Sequence, residues 1–324
     1  MVAPGPLVPA QYGFGMRLVR QPIDVTRRRI AGEVRRMLAG SADAQRAPSV
    51  REPGDEGLFG RESSAWIVHS DLSSLVGGIR ALLLQTLHPP TMAGVADHSS
   101  YRDDPLGRLQ RTGSFLGRTV FGPTDDAEMA IAQVRAIHDR VTGTTPGGEP
   151  YAANDPHLLT WVHVTEVQSF LAAHQRYGSV RLSGDDADRY VAEMATVGLR
   201  LGMLDAPLTV AELDAVVESY RPELRIDAQA RDAIRFLMMP PLSFVARGPY
   251  VLLLGAATAL LPRWARMKLR LPLAPGVDPL LIRPAATVLL RTLGWALGAS
   301  AAPPDAVGDG DDAAADMPRT TSSR

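Results

Sequence analysis

The stretch Pro156–His174, PHLLTWVHVTEVQSFLAAH, decides the architecture. Wound at 3.6 residues per turn, Leu159, His163, Phe170 and His174 fall in one narrow stripe. Trp161, Val162, Val164 and Leu171 make the remaining faces apolar as well. A helix that is apolar all round has to be enclosed by other elements. Asp155 supplies an N-cap acceptor ahead of a proline at the first helical position, so the start is well defined. The chain is therefore expected to wrap helices around a central one that carries imidazoles.

The neighbouring segments read the same way. Asp104-Pro105 opens a helix reaching about Phe115, and Arg108, Arg111, Thr112 and Phe115 share one side of it. Asp125 with Glu128 resembles a capping box opening a helix to Val141 that Gly143 closes. Within it Ile131, Val134, His138 and Val141 recur at spacings of three and four, which points His138 inward with the apolar stripe. Thr209 with Glu212 is a second capping box, and Asp227 caps a helix that ends before Pro240-Pro241. In Arg80–Arg102 a helix is expected to stop at Pro89-Pro90, followed by a histidine-rich turn holding His88, Asp97 and His98. His69, beside Asp71 at an expected helix start, reads as structural. No long alternating run and no Asn-Gly turn argue for strands. The fold expected is all-α, one large helical-bundle domain over 57–300. It follows a Pro/Gly-rich arm over 1–56, which includes a basic helix at 24–40 and a polar linker, and precedes a disordered tail over 301–324.

Composition narrows the chemistry. The hydrophobic content of 45% and charged content of 21% are those of a folded protein, and a net charge of −1 gives no footing for a nucleic-acid partner. Lys268 is the sole lysine, so lysine chemistry is nearly excluded. The absence of cysteine excludes disulfides, thiolate haem ligation, iron–sulfur clusters and cysteine zinc sites. The N-terminus shows no basic region followed by an apolar core, so a cytoplasmic location is expected. The most apolar stretch, Tyr250–Leu261, is about half the roughly 20 residues of a membrane span and reads as a buried or interfacial helix. HExxH, Glu-x-x-His, GxGxxG, P-loop and GxSxG motifs are absent.

All seven histidines lie between His69 and His174. Histidine is the usual neutral metal ligand and proton shuttle near pH 7, so this third of the chain is where chemistry is expected. Each buried histidine taken singly is better explained as a core histidine hydrogen-bonded to a backbone carbonyl. Two on adjacent helices, His138 and His163, make a ligand role an even competitor. Arginine is poorly tolerated in a core without an anion, so Arg108 and Arg111 are expected to meet a cofactor carboxylate or the acids Asp97, Asp103 and Glu166, or to lie at the surface.

The segments GRESSAWIVHSD, GGIRALLLQTLHPP, AGVADHSSYRDDPLGRLQRT, IHDRVTG and ANDPHLLTWVHVTEV, in that order, resemble the MpaB-like oxygenase family, which is related to the latex-clearing rubber oxygenases. The resemblance covers about residues 58–270. It implies an all-helical fold enclosing b-type haem, with dioxygen used to cleave isoprenoid double bonds. It also implies that Arg108-Leu-Gln-Arg111-Thr112 corresponds to an Arg-x-x-Lys-Thr motif of the haem pocket. His138, 26 residues after Thr112, is then the counterpart of the proximal iron ligand, and His163 the second candidate. Arg108 and Arg111 become partners for haem propionates or oxygen, and Thr112 a hydrogen-bond donor. Asp97 and His98 stand on the substrate side as acid/base groups. Arg111 replaces the family's lysine; arginine stays protonated and is a poor iron ligand, which leaves the sixth position to water, another side chain or nothing.

The function expected is a haem-dependent oxygenase acting on an apolar, unsaturated, isoprenoid or lipid-like molecule with dioxygen. Two other readings stand beside it. One is a membrane-peripheral lipid-binding protein using helix 24–40 and the apolar segment 242–262. The other is a mononuclear non-haem metal enzyme built on His138, His163 and an acid.

Overall fold

In the structure, a computed structural model, residues 54–272 and 276–298 are described. The arm with its basic segment 24–40 and the tail 301–324 lie outside the described residues. The helices are α1 (Ser64–Ser70), α2 (Ser74–Gln85), α3 (Pro89–His98), α4 (Pro105–Phe121), α5 (Thr124–His138), α6 (Pro156–Tyr177), α7 (Gly184–Leu201), α8 (Val210–Ser219), α9 (Ala228–Met238), α10 (Phe244–Leu260), α11 (Arg263–Lys268) and α12 (Arg283–Leu297). A short π-helix, Asp278–Ile282, leads directly into α12. Among the described residues the only strands are β1 (Thr142–Thr144) and β2 (Pro150–Ala152), so the fold is all-α as expected.

Helix α6 is the central element. The Asp155 carboxylate accepts from the His157 amide at 2.9 Å and Pro156 starts the first turn. Trp161, Val164 and Val167 are buried against Leu83, Leu84 and Leu87 of the α2 region and Tyr190 and Val191 of α7. Helix α2 runs closely along α6, and Gly77 makes that possible. A Cβ there would stand 2.9 Å from the Phe170 Cα and 3.1 Å from the Ser169 carbonyl oxygen, neither of which can move aside cheaply. Arg80, 3% exposed, then ties three helices: it donates to Ser169 Oγ at 2.6 Å and Gln168 Oε1 at 3.0 Å on α6, and to the Leu260 carbonyl at 3.1 Å on α10. Buried polar groups persist only when bonded in this way.

Helices α4 and α5 form a hairpin through the two-residue turn Gly122-Pro123. Folding back places the first turns of α4, with Arg108, at the same end of the pair as the last turn of α5, with His138. Arg118 holds the hairpin through Asp126 at 3.0 Å and Gln133 at 3.3 Å. The pair leans on α1 and α7.

Several boundaries differ from expectation. Pro89-Pro90 do not introduce an irregular turn; they start α3, with His88 as its N-cap and His98 as its last residue. Proline at the first helical positions loses no needed amide, so the same dipeptide that stops α2 opens the next helix. His69 lies in the last turn of α1, not at a helix start. Helix α4 continues past Phe115 to Phe121. Helix α5 starts at Thr124, whose amide and hydroxyl bond Asp55 at 3.0 and 2.7 Å, and ends at His138 rather than Val141. Gly143 sits in a hairpin opposite Tyr151, where a Cβ would lie 2.5 Å from the tyrosine hydroxyl. That ribbon turns through Gly148 at φ +88°; its strands are too short for alternation to betray them.

The segment Tyr250–Leu261 belongs to α10, which buries Leu254, Ala256 and Ala257 but exposes Val251. By length and composition Asp278–Leu297 is apolar enough to cross a membrane, and 17% of its most apolar window is buried.

Candidate active site

Glu166, one turn beyond His163 on α6, bonds Gln85 of α2 and feels the charge of Arg108 on α4. Its side chain is half-buried. Burial pushes its carboxyl up to about 7, the range that suits acid–base work at neutral pH. Arg108 is likewise half-buried. Burial pulls its pKa below the usual arginine value, and it donates to Ser99 Oγ at 2.8 Å. The single carboxylate whose charge opposes this burial from α6 is Glu166.

Two imidazoles, on α6 and α5, are shielded from solvent in whole or in part. His163 is 8% exposed, and burial drives its pKa down to about 4, so it is neutral at physiological pH. The ring packs against Gly198 of α7, where a Cβ would come within 3.1 Å of its Cε1 and Nδ1. His138 is half-buried, its pKa is lowered by burial, and its Nδ1 is shielded from water with no hydrogen-bond partner. A neutral, shielded, unpaired imidazole nitrogen costs free energy unless something binds it. The chain thus holds an arginine acting on a near-neutral carboxyl, and two imidazoles whose pKa burial lowers. An imidazole nitrogen without a partner and a partly shielded arginine are the donor types that an iron-centred group carrying carboxylates takes.

The remaining residues singled out in the sequence are dispersed. Arg111 is exposed and pairs with Asp104 at 3.2 Å, and Thr112 is exposed one residue further on. Asp97 accepts from the Tyr151 hydroxyl at 2.7 Å and from Gln229 at 3.2 Å. His98 Nε2 meets the Thr142 carbonyl at 3.1 Å. Both tie α3 to the ribbon, and Asp97 also to α9. His69 bonds the Tyr190 hydroxyl at 3.2 Å and is driven down to about 4 by burial, with His174 nearby adding to it.

A second polar cluster was not anticipated. His88, His157 and Glu223 bring one ligand atom each within 4.8 Å of one another. They come from three separated segments, so no spacing motif marks them. Glu166 was foreseen only as a partner for arginine; its isolation in the middle of an apolar helix was the available signal.

No curated protein and no solved structure matches the chain. The family model described as "ER-bound oxygenase mpaB/B'/Rubber oxygenase, catalytic domain" matches residues 66–299, which span α1 to α12 and contain every side chain of the site, and the chain belongs to that oxygenase family.

Proposed function

We propose that this chain is a haem-dependent oxygenase acting with dioxygen on an apolar, unsaturated, isoprenoid or lipid-like molecule. The observation that carries the proposal is the shielded, unpartnered Nδ1 of His138 at the Arg108 end of the α4–α5 hairpin. His138 is assigned as the iron ligand, with His163 the second neutral imidazole. When bound, haem supplies the iron that activates dioxygen.

The chain's own residues do the rest. Arg108 stays protonated and offers a fixed cation to a propionate or to developing negative charge. Glu166, with its carboxyl near 7, holds or releases a proton beside the substrate; it takes the acid/base role that the resemblance gave to Asp97 and His98. Arg111 and Thr112 lie exposed on the following turn of α4. The apolar core that α2, α6 and α7 share favours an apolar substrate in this part of the chain. Oxygen consumption by haem-supplied protein with a polyisoprenoid, together with mass spectrometry for carbonyl products, tests this. Uptake that depends on the substrate supports it; no uptake and no product across unsaturated lipids would refute it.

One observation favours a peripheral membrane setting for this activity. Leu281, Val288 and Trp295 recur every seven residues and are 64%, 64% and 46% exposed, making an apolar stripe along the last helix. Flotation with liposomes should fall when Leu281 and Val288 are both changed to aspartate, and unchanged flotation would remove this face from the account.

A further inference from the structure

We propose that His88, His157 and Glu223 form a binding site for a divalent transition metal, distinct from and independent of the haem reading. His88 caps α3, His157 opens α6, and Glu223 lies in the turn after α8. Their donor atoms gather within 4.8 Å, and among the described residues no other trio of histidine and carboxylate groups does so. The Nε2 atoms of both rings converge on one carboxylate oxygen: His157 to Glu223 Oε2 is 2.8 Å and His88 to the same oxygen is 3.4 Å.

Proton bookkeeping indicates what belongs between them. The Tyr220 hydroxyl has one hydrogen, and it donates to the His157 carbonyl at 2.8 Å. With that hydrogen on the carbonyl, the contact of the hydroxyl with His157 Nδ1 at 3.2 Å is one the ring donates. A neutral His157 so fixed carries its lone pair on Nε2, which faces a carboxylate oxygen that is also an acceptor. Two acceptors at 2.8 Å need a cation between them: a second ring proton or a metal ion. The outer contacts are those that orient metal-binding histidines, since a hydroxyl holds the far nitrogen of each ring. These are Tyr220 for His157 and Thr91 Oγ1, at 2.9 Å, for His88. Tyr220 also stacks on His157 with ring centroids 4.5 Å apart, fixing its plane.

Two imidazoles and one carboxylate suit zinc, iron(II), cobalt(II) or nickel(II) and leave positions open for water or a small ligand. His88 is 2% exposed while His157 and Glu223 are 50% and 44% exposed, so the site has a buried wall and an open mouth. Arg225, whose charge acts on His88, is engaged by Glu149 at 2.8 Å. An ion here would join the starts of α3 and α6 to the turn after α8.

Calorimetric titration of the full-length, tag-free protein with zinc chloride tests the site. We expect one saturable equivalent per chain and a melting temperature that rises with zinc concentration. His157→Ala and Glu223→Gln should each weaken binding by at least about tenfold with unchanged circular dichroism. Should His157→Ala fail to fold, Glu223→Gln alone decides. No saturable binding by the wild type, or equal binding by the folded variants, would show that a proton and not a metal bridges the cluster.

Discussion

Gly198 on α7 stands so close to His163 on α6 that a Cβ would lie 3.1 Å from the ring's Nδ1 and Cε1, and 2.6 Å from Met203 Sδ. Met203 can swing away, but His163 is enclosed. Gly198→Ala should therefore destabilise the fold by about 1–3 kcal/mol through overpacking. Urea unfolding measures this, and a neutral result would show that the imidazole has room to shift.

Gly77→Ala should cost more than Gly198→Ala. Its obstacles are the Phe170 Cα and the Ser169 carbonyl, so α2 and α6 must separate. The same interface holds Arg80. Arg80→Ala strips partners from Ser169, Gln168 and the Leu260 carbonyl and should cost roughly 3 kcal/mol. Denaturation midpoints of the three variants give the ranking directly.

Glu166 predicts an unusual pH response. Its carboxyl is raised in the folded protein to about 7 from an ordinary 4.5, so between those values the folded state holds a proton that the unfolded state has released. This group's contribution to stability is present at pH 4 and is lost as the pH rises through 7. Glu166→Gln should gain stability relative to wild type on going from pH 5 to pH 8. Parallel melting curves with the same pH dependence would show that the carboxyl titrates normally.

Arg108 and Arg111 should part company when each is changed to alanine. Arg111 and Asp104 form an exposed pair, worth at most about 1 kcal/mol. Arg108 is enclosed and its charge lowers the Glu166 pKa. Arg108→Ala should push the Glu166 titration higher still, read as a shift of the stability–pH curve, while Arg111→Ala leaves that curve in place.

What could be read from the chain beforehand was local. Asp104-Pro105, Asp155-Pro156, Thr209 and Asp227 cap helices as expected, because a cap is decided by the few residues around it. Burial of α6 followed from its apolar circumference. Pro89-Pro90 misled because proline ends one helix and begins another with equal ease. The β1–β2 ribbon was hidden because three-residue strands carry no period. The acidity of Glu166 and the convergence of His88, His157 and Glu223 were beyond reach for a different reason. Each depends on segments tens of residues apart, brought together only by the wrap of helices around α6.

The central claim is that His138, whose Nδ1 is shielded and without a partner, holds haem iron. The most direct measurement is the visible spectrum of the purified full-length protein supplied with haemin, wild type against His138→Ala and His163→Ala. The account predicts a Soret band at one haem per chain in wild type, lost in His138→Ala and kept in His163→Ala. A wild-type protein that takes up no haemin, or a His138→Ala variant with an unaltered Soret band, would contradict it.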